Sequence, residues 1–191
     1  MKKTTTVATL IFLALTTFSF TGLEKTQKEI KINSSTVNWK GYKVTGSHKG
    51  TIGIQSGNLI FEESFLVGGT FIIDMTTITV TDLEGEYKSK LENHLKSDDF
   101  FGVEKFPTAS LIFTSAKATG KSAYEVQGNI VIKGKTEPIT FNFSVYGNKA
   151  TASLKIDRSK FDVRYGSTSF FDGLKDKAIY DEFDIVADLE F

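Results

Sequence analysis

The chain has 191 residues, enough for one domain, and it balances 23 basic residues against 23 acidic ones. This balance gives no sign of a clustered basic surface, which would attract nucleic acid or an anionic membrane. The sequence contains no cysteine, which excludes disulfides, thiolate metal sites, cysteine nucleophiles and anchoring through an acylated cysteine.

The N-terminus has the pattern of an export signal. Lys2 and Lys3 precede a charge-free stretch, residues 4–23, whose apolar run is shorter than the about 20 residues of a membrane-spanning helix. We therefore expect a signal peptide over residues 1–22, an N-terminal extension over 23–34, and a periplasmic or secreted protein. An uncleaved membrane anchor is the alternative. Without the two lysines, 21 bases face 23 acids, so the exported chain has a net charge near −2.

Beyond residue 35, apolar and polar residues alternate with a period of two, which is typical of half-buried β-strands. The first predicted strand contains Trp39, and Gly41 within it favours a bulge or bend. The next apolar residues, at 52–61, are divided by a predicted turn over residues 55–58. A strand over residues 71–75 follows.

One segment has helical instead of strand spacing. Leucine or tyrosine recurs every fourth residue between Thr81 and Ser97, and Thr81 with Glu84 resembles a capping box. We predict a single short helix over about residues 82–96, inserted between strands, with this apolar stripe packed on the barrel. The stripe consists of Leu83, Tyr87, Leu91 and Leu95.

Strand patterns resume after the helix and continue to the C-terminus. Alternating segments occupy residues 111–113, 124–132, 139–145, 152–156 and 183–191, with turn residues between them. The total is about eight strands. We therefore predict an all-β fold, an eight-stranded antiparallel barrel, which is the size that either fills with side chains or holds one small ligand.

The aromatic composition bears on the interior of that barrel. The chain has 17 Phe against 6 Tyr and 1 Trp, and phenylalanine adds apolar area without a polar group. Strand alternation places one set of large side chains on the inner face. We predict that the lumen is lined by Trp39, Phe71, Ile73, Met75, Phe113, Phe141, Phe143, Phe183 and Ile185.

Several ordered motifs resemble the YceI-like family. His94-Leu95-Lys96-Ser97-Asp98-Asp99-Phe100-Phe101, followed by Phe106-Pro107-Thr108-Ala109, is similar to the family's H-L-x-S-x-D-F-F and [YF]-P-x-A elements. Residues 128–141 resemble its glycine-containing hairpin, and residues 157–163 resemble its R-x-x-F strand. Two features depart from the pattern: Glu137 replaces a basic residue, and the segment 164–177 is longer.

The resemblance implies a lipocalin-like barrel that binds a polyisoprenoid or similar long amphiphile in its lumen, in the bacterial envelope or outside the cell. It implies a carrier without catalytic residues, cofactor or metal, making at most transient membrane contact. The predicted lumen residues would then contact the lipid tail. We expect polar residues at the barrel mouth to meet its head group, namely His48, His94 and Asp98.

Two other functions remain open from the sequence. One is an envelope enzyme or metal-dependent protein that acts on a lipid or quinone through His48 or His94, the only two histidines. The sequence contains no G-x-S-x-G, phosphate-binding loop or H-E-x-x-H motif that would favour it. The other is an interaction protein whose lumen is filled by its own side chains.

Overall fold

The computed structural model describes residues 24–191. The predicted signal peptide therefore lies outside the described residues. Nine strands and one α-helix account for most of the described chain. They are β1 (Lys25–Glu29), β2 (Thr36–Lys43), β3 (Gly46–Glu62), β4 (Phe65–Val80), α1 (Gly85–Lys96), β5 (Thr108–Ala118), β6 (Ala123–Ile132), β7 (Lys135–Tyr146), β8 (Lys149–Asp157) and β9 (Ile179–Glu190).

Eight of these strands close into a barrel, as the sequence predicted. The order β3-β2-β9-β8-β7-β6-β5-β4 is antiparallel throughout, and β4 pairs back onto β3 to complete the ring. Closure leaves no unpaired edge between the barrel strands. The fold is an all-β, lipocalin-like barrel with one helix.

The ninth strand, β1, lies in the segment that the sequence analysis treated as an N-terminal extension. Residues 25–29 pair with residues 58–62 of β3, and Ile30 directly after them is buried. The side chains of β1 itself are all exposed, so no apolar alternation marked this strand in the sequence. Backbone pairing adds it to the sheet, and the Lys28 ammonium lies over the Phe61 and Phe191 rings, 5.0 and 5.1 Å from their centroids.

The predicted turn over residues 55–58 is wrong. Strand β3 runs through this segment and turns only at Glu63 and Ser64. The strand changes register between Ile54 and Ser56, where a bulge lets it bend around the barrel. A side chain at Gly57 would meet the Phe71 ring at 2.8 Å, so this glycine serves close packing within a strand. The bulge predicted at Gly41 is confirmed by the register shift between Gly41 and Lys43.

The helix exists but begins later than expected, at Gly85. Glu84 is the N-cap residue, and its side chain makes no capping hydrogen bond. The Thr81 hydroxyl donates to the carbonyl of Lys49 instead. The predicted capping box is therefore wrong. The predicted stripe is also wrong at Tyr87, which is 75% exposed. Leu95 is the one fully buried residue of the helix, and Leu83 and Leu91 of the predicted stripe pack, partly buried, against the core. No helix of the described residues is long and apolar enough to cross a bilayer.

Candidate functional site

The barrel encloses an apolar cavity of about 180 Å³. Each of the eight barrel strands contributes lining residues, so the cavity is the lumen. Its size slightly exceeds the about 150 Å³ of an apolar cavity that takes up benzene, and it is smaller than the about 300–1,000 Å³ of typical ligand pockets. All nine side chains predicted for the lumen line it: Trp39, Phe71, Ile73, Met75, Phe113, Phe141, Phe143, Phe183 and Ile185.

Four phenylalanines from strands β4, β5 and β7 fill part of this lumen. The Phe113 ring lies 5.6 Å from Phe71, 5.6 Å from Phe141 and 5.5 Å from Phe143, measured between ring centroids. The two contacts with β7 are edge-on, the arrangement that aromatic quadrupoles favour. Phe143 is 1% exposed. The lumen is therefore neither an open tube nor a solid core, because rings occupy part of it and a cavity occupies the rest.

The two ends of the barrel differ. We call the end that carries α1 and the long β8–β9 connection the helix end. There, Leu95 and the adjacent Phe100 and Phe101 are buried and line the cavity. Phe100 and Phe101 thus close one end of the barrel beneath the helix. The opposite end is packed solid by side chains that are at most 1% exposed and do not line the cavity: Leu59, Leu66 and Val126.

Among the described residues, one charged residue lines the cavity. It is Arg158, which lies at the helix end. It is 2% exposed and follows directly after β8. Its Nε, Nη1 and Nη2 atoms donate to the carbonyls of Tyr180 (3.2 Å), Val163 (2.7 Å) and Ile179 (3.0 Å). Burial lowers the pKa of Arg158, and the nearby carboxylates of Asp181 and Asp157 oppose that shift.

The other polar residues of the cavity wall present their polar atoms elsewhere. Ser110 and Tyr180 alternate with inward-facing neighbours on their strands, and the Tyr42 hydroxyl donates to Asp184 at 2.6 Å. Arg158 is therefore the polar side chain that a lumen ligand would meet. Sequence reasoning missed this role, since it assigned Arg158 only to a family motif and arginine is rarely buried.

The helix is tied to the barrel by one carboxylate. Glu92 accepts hydrogen bonds from the Thr79 hydroxyl at 2.6 Å and from the Val80 backbone N–H at 2.9 Å, both at the end of β4. These two bonds hold the pKa of Glu92 below its usual value, and the bond from Thr79 contributes more than the bond from Val80. The ionised carboxylate therefore fastens α1 across the helix end.

The three polar residues predicted for the mouth lie at the helix end, but none of them lines the cavity. His48 Nδ1 lies 3.1 Å from Asp82 Oδ2. Burial raises the pKa of Asp82, but hydrogen bonds from the Lys49 backbone N–H and from His48 lower it by more, so that the pKa is below its usual value. Asp98 forms an exposed ion pair with Lys105 at 2.6 Å.

His94 packs between aromatic rings. Its ring centroid is 4.3 Å from that of Tyr165 and 5.6 Å from that of Phe100, and its buried Nε2 has no hydrogen-bond partner among the described residues. The two histidines thus have separate surroundings. Over residues 24–191, no group of three or more His, Cys, Asp or Glu side chains is placed to hold a metal ion.

Comparisons with known proteins agree with this architecture. A UPF0312 protein of Pseudomonas putida strain W619 is 28% identical over 115 residues, covering 58% of this chain and 56% of its own length. A UPF0312 protein of Pseudomonas aeruginosa strain LESB58 is 35% identical over 71 residues, covering 37% of this chain and 36% of its own. The chain thus spans about half the length, or less, of these curated relatives.

Solved structures show the same fold at low identity. BcnA of Burkholderia cenocepacia superposes with a TM-score of 0.66 at 21% identity, covering 84% of this chain and 98% of its own. A polyisoprenoid binding domain from Saccharophagus degradans gives 0.60 at 14% identity, covering 88% and 99%. The model of the YceI-like domain matches residues 26–191, which include every barrel strand from β2 to β9. Motifs, barrel and match together show that the chain belongs to the YceI-like family.

Proposed function

We propose that this protein binds and carries a long apolar lipid, a polyisoprenoid or similar amphiphile, in the barrel lumen. The observation that carries the proposal is the cavity itself, which every barrel strand lines with apolar side chains. A dry apolar lumen favours a hydrocarbon chain over any polar molecule. The likeness to a domain described as polyisoprenoid binding supports the same class of ligand.

The cavity volume implies that the lumen rearranges when a long chain enters. About 180 Å³ accommodates a small apolar group but not a full polyisoprenoid tail. Phe113, Phe141 and Phe143 are the side chains whose rotation would lengthen the space. Entry at the helix end requires Leu95, Phe100 and Phe101 to move aside, whereas the opposite end is filled by Leu59, Leu66 and Val126, which are at most 1% exposed.

The energetics favour exchange of lipid over permanent extraction. A ligand of about 40 heavy atoms at about 0.3 kcal/mol per atom gains about 12 kcal/mol relative to water, which is nanomolar affinity. The competing environment is the bilayer, where each CH₂ group gains the same ~0.8 kcal/mol as in the lumen. The net preference for protein over membrane is therefore small. A carrier or reservoir fits this balance.

We assign this activity to the cell envelope or the extracellular space. The basic start and the short apolar run of the first 22 residues support export. A binding role without turnover is supported by the contents of the lumen, because neither His48 nor His94 lines it. Among residues 24–191, no His, Asp, Glu or Lys side chain lines the cavity, and these are the groups that most often carry acid–base chemistry.

Mass spectrometry of organic extracts from the purified exported protein tests the proposal. We expect a long-chain isoprenoid or similar amphiphile at near-stoichiometric amount. Ala152→Phe adds a ring to the cavity wall, whereas Thr151→Phe adds the same ring to the exposed face of the same strand. The first variant should lose the lipid while remaining folded, and the second should retain it. Wild-type protein that yields no lipid from its native host would overturn the proposal.

A further inference from the structure

Exposed aromatic side chains are concentrated at the helix end of the barrel. Seven phenylalanine and tyrosine side chains of residues 24–191 are exposed. Two of them, Phe65 and Tyr146, lie in hairpins at the opposite end. The other five lie on α1, in the β8–β9 connection or at the start of β9, and they are Tyr87, Tyr165, Phe170, Phe171 and Tyr180. Most of the exposed aromatic surface thus surrounds the end of the lumen that the helix covers.

Three of these rings, those of Tyr165, Phe170 and Phe171, form a patch on the β8–β9 connection, which we call the connection patch. The guanidinium of Arg164 lies over the Phe170 ring, 5.0 Å from its centroid. Arg164 also lines an open groove of about 560 Å³, and Tyr165 and Phe171 line the same groove. The three rings therefore belong to one surface. Exposed apolar side chains that are grouped in this way mark an interaction site.

The connection patch contacts the side chains that close the lumen. The Tyr165 ring centroid lies 4.3 Å from that of His94, which lies 5.6 Å from that of Phe100. Phe100 lines the cavity, and the Arg158 guanidinium lies 5.4 Å from its ring centroid. Arg158 in turn binds backbone carbonyls at both ends of the β8–β9 connection. A lipid that leaves the lumen by displacing Phe100 therefore emerges beside the patch.

The groove beside the patch has balanced charge. Three basic and three acidic residues line it, namely Lys133, Arg164, Lys177, Asp98, Asp99 and Asp162. A surface of this kind lacks the excess of lysine and arginine that attracts anionic lipid. It is complementary to zwitterionic phospholipid, whose phosphate and ammonium groups are balanced in the same way.

We propose that the connection patch docks the protein on a bilayer of zwitterionic phospholipid, so that the helix end of the lumen faces the membrane. The inference rests on the proposed function, because lipid that is exchanged with a membrane has to pass from the lumen into the bilayer. Aromatic side chains are enriched at membrane interfaces, where lysine and arginine extend their charged groups to the water. Docking by this patch keeps the leaving chain out of water. A second copy of the chain on this surface would cover the exit instead.

Sedimentation with phosphatidylcholine vesicles tests the docking surface. We expect wild-type protein to bind them, and we expect Phe170→Ser combined with Phe171→Ser to lower the partition coefficient about tenfold, because two rings no longer enter the interface. The matched control is Phe65→Ser combined with Tyr146→Ser, which removes two exposed rings from the opposite end and should bind as wild type does. Wild-type protein that does not bind, or equal losses in the two variants, would overturn the proposal. Binding that requires anionic lipid and disappears at high salt would overturn it as well.

A labelled cysteine reports which end meets the membrane, since the sequence contains no cysteine of its own. Thr168→Cys lies in the β8–β9 connection and Ser64→Cys in the hairpin at the opposite end, and both positions are exposed. Each variant carries an environment-sensitive nitrobenzoxadiazole dye. Phosphatidylcholine vesicles should shift the emission of the dye at residue 168 to shorter wavelength and leave that at residue 64 unchanged. Any other pattern would contradict the proposed orientation.

The rate of lipid transfer separates docking from lipid binding. Phe170→Ser combined with Phe171→Ser should slow the transfer of a fluorescent polyprenol to vesicles about tenfold. The final distribution should stay that of wild type, because neither ring lines the lumen. An unchanged rate would refute docking by this patch, and so would a wild-type dimer that the same substitutions convert to a monomer. Wild-type protein that takes up no polyprenol would contradict the proposed function, whereas vesicle sedimentation would still decide the docking.

Discussion

At the scale of single residues, the lumen contains both tightly packed rings and one buried cation. Phe143 contacts Phe113 and Phe141, and 1% of it is exposed. Packing of this density makes each ring a contributor to stability as well as a wall for ligand. The buried cation, Arg158, is accommodated because three backbone carbonyls and a carboxylate surround it.

We expect Phe143→Glu to destabilise the barrel by several kcal/mol, because it buries a carboxylate that has no partner among the rings. The free energy of unfolding, from urea titration, measures the effect. Phe171→Glu is the control, since Phe171 is 49% exposed and its replacement should change stability by less than about 0.5 kcal/mol. A Phe143→Glu protein of wild-type stability that still co-purifies with lipid would contradict our assignment of the lumen.

At the scale of elements, α1 closes one end of the barrel through few contacts. Leu95 is its only buried residue, and Tyr87 points away from the barrel. We expect Leu95→Ala to cost about 2–5 kcal/mol and Tyr87→Ala to change the free energy of unfolding by less than about 0.5 kcal/mol. Thermal and urea unfolding of the two variants check this. Equal losses would show that the whole helical stripe packs on the barrel.

Glu92 makes the attachment of α1 sensitive to pH. Because its pKa is lowered in the folded state, its contribution to stability is present above the unfolded value of about 4.3 and is lost as pH falls through the lower folded value. Glu92→Gln should therefore reduce the free energy of unfolding by about 1 kcal/mol at pH 7, and this difference should shrink below about pH 4.

The control for Glu92 is Glu86→Gln on the same helix. Glu86 is 77% exposed and pairs only with Lys90, so its replacement should have little effect at either pH. Urea titrations of both variants at pH 7 and below pH 4 make the comparison. A stability difference for Glu92→Gln that does not change with pH would show that the tether does not depend on the charge.

At the scale of the whole molecule, export and lipid exchange are the two properties to test. We expect the signal peptide to be removed between about residues 19 and 25. Cleavage before Lys25 leaves all nine described strands intact. The intact mass of protein recovered from the periplasm or medium checks this, and a mass that includes Met1 would contradict it.

If the protein carries lipid as proposed, we expect it to exchange that lipid with membranes, because the lumen and the bilayer stabilise the chain about equally. Protein loaded with a fluorescent polyprenol should release it progressively as the amount of added vesicles increases, because the chain gains about equally in both environments. Separation of protein from vesicles by centrifugation measures the retained fraction. Full retention at large vesicle excess would show a carrier that extracts lipid instead of exchanging it.

The sequence by itself determined the eight barrel strands, the presence of one helix and the inner face of the barrel. Period-two alternation is a local property, and it identified nine side chains that line the cavity, from Trp39 to Ile185. Local patterns also misled at two places: a bulge carries β3 through the predicted turn over 55–58, and Tyr87, in the first turn of α1, is exposed although it has the spacing of the stripe. Strand β1 carried no local signal, since its side chains are all exposed.

Only the tertiary structure decided how full the lumen is and what polar group it contains. The positions of the four rings around Phe113 depend on contacts among β4, β5 and β7, which are distant in the chain. The burial of Arg158 depends on carbonyls of residues 163, 179 and 180, which the β8–β9 connection brings around it. Burial and hydrogen bonding depend on neighbours in space that come from several segments of the chain, so the alternation along one strand cannot predict them.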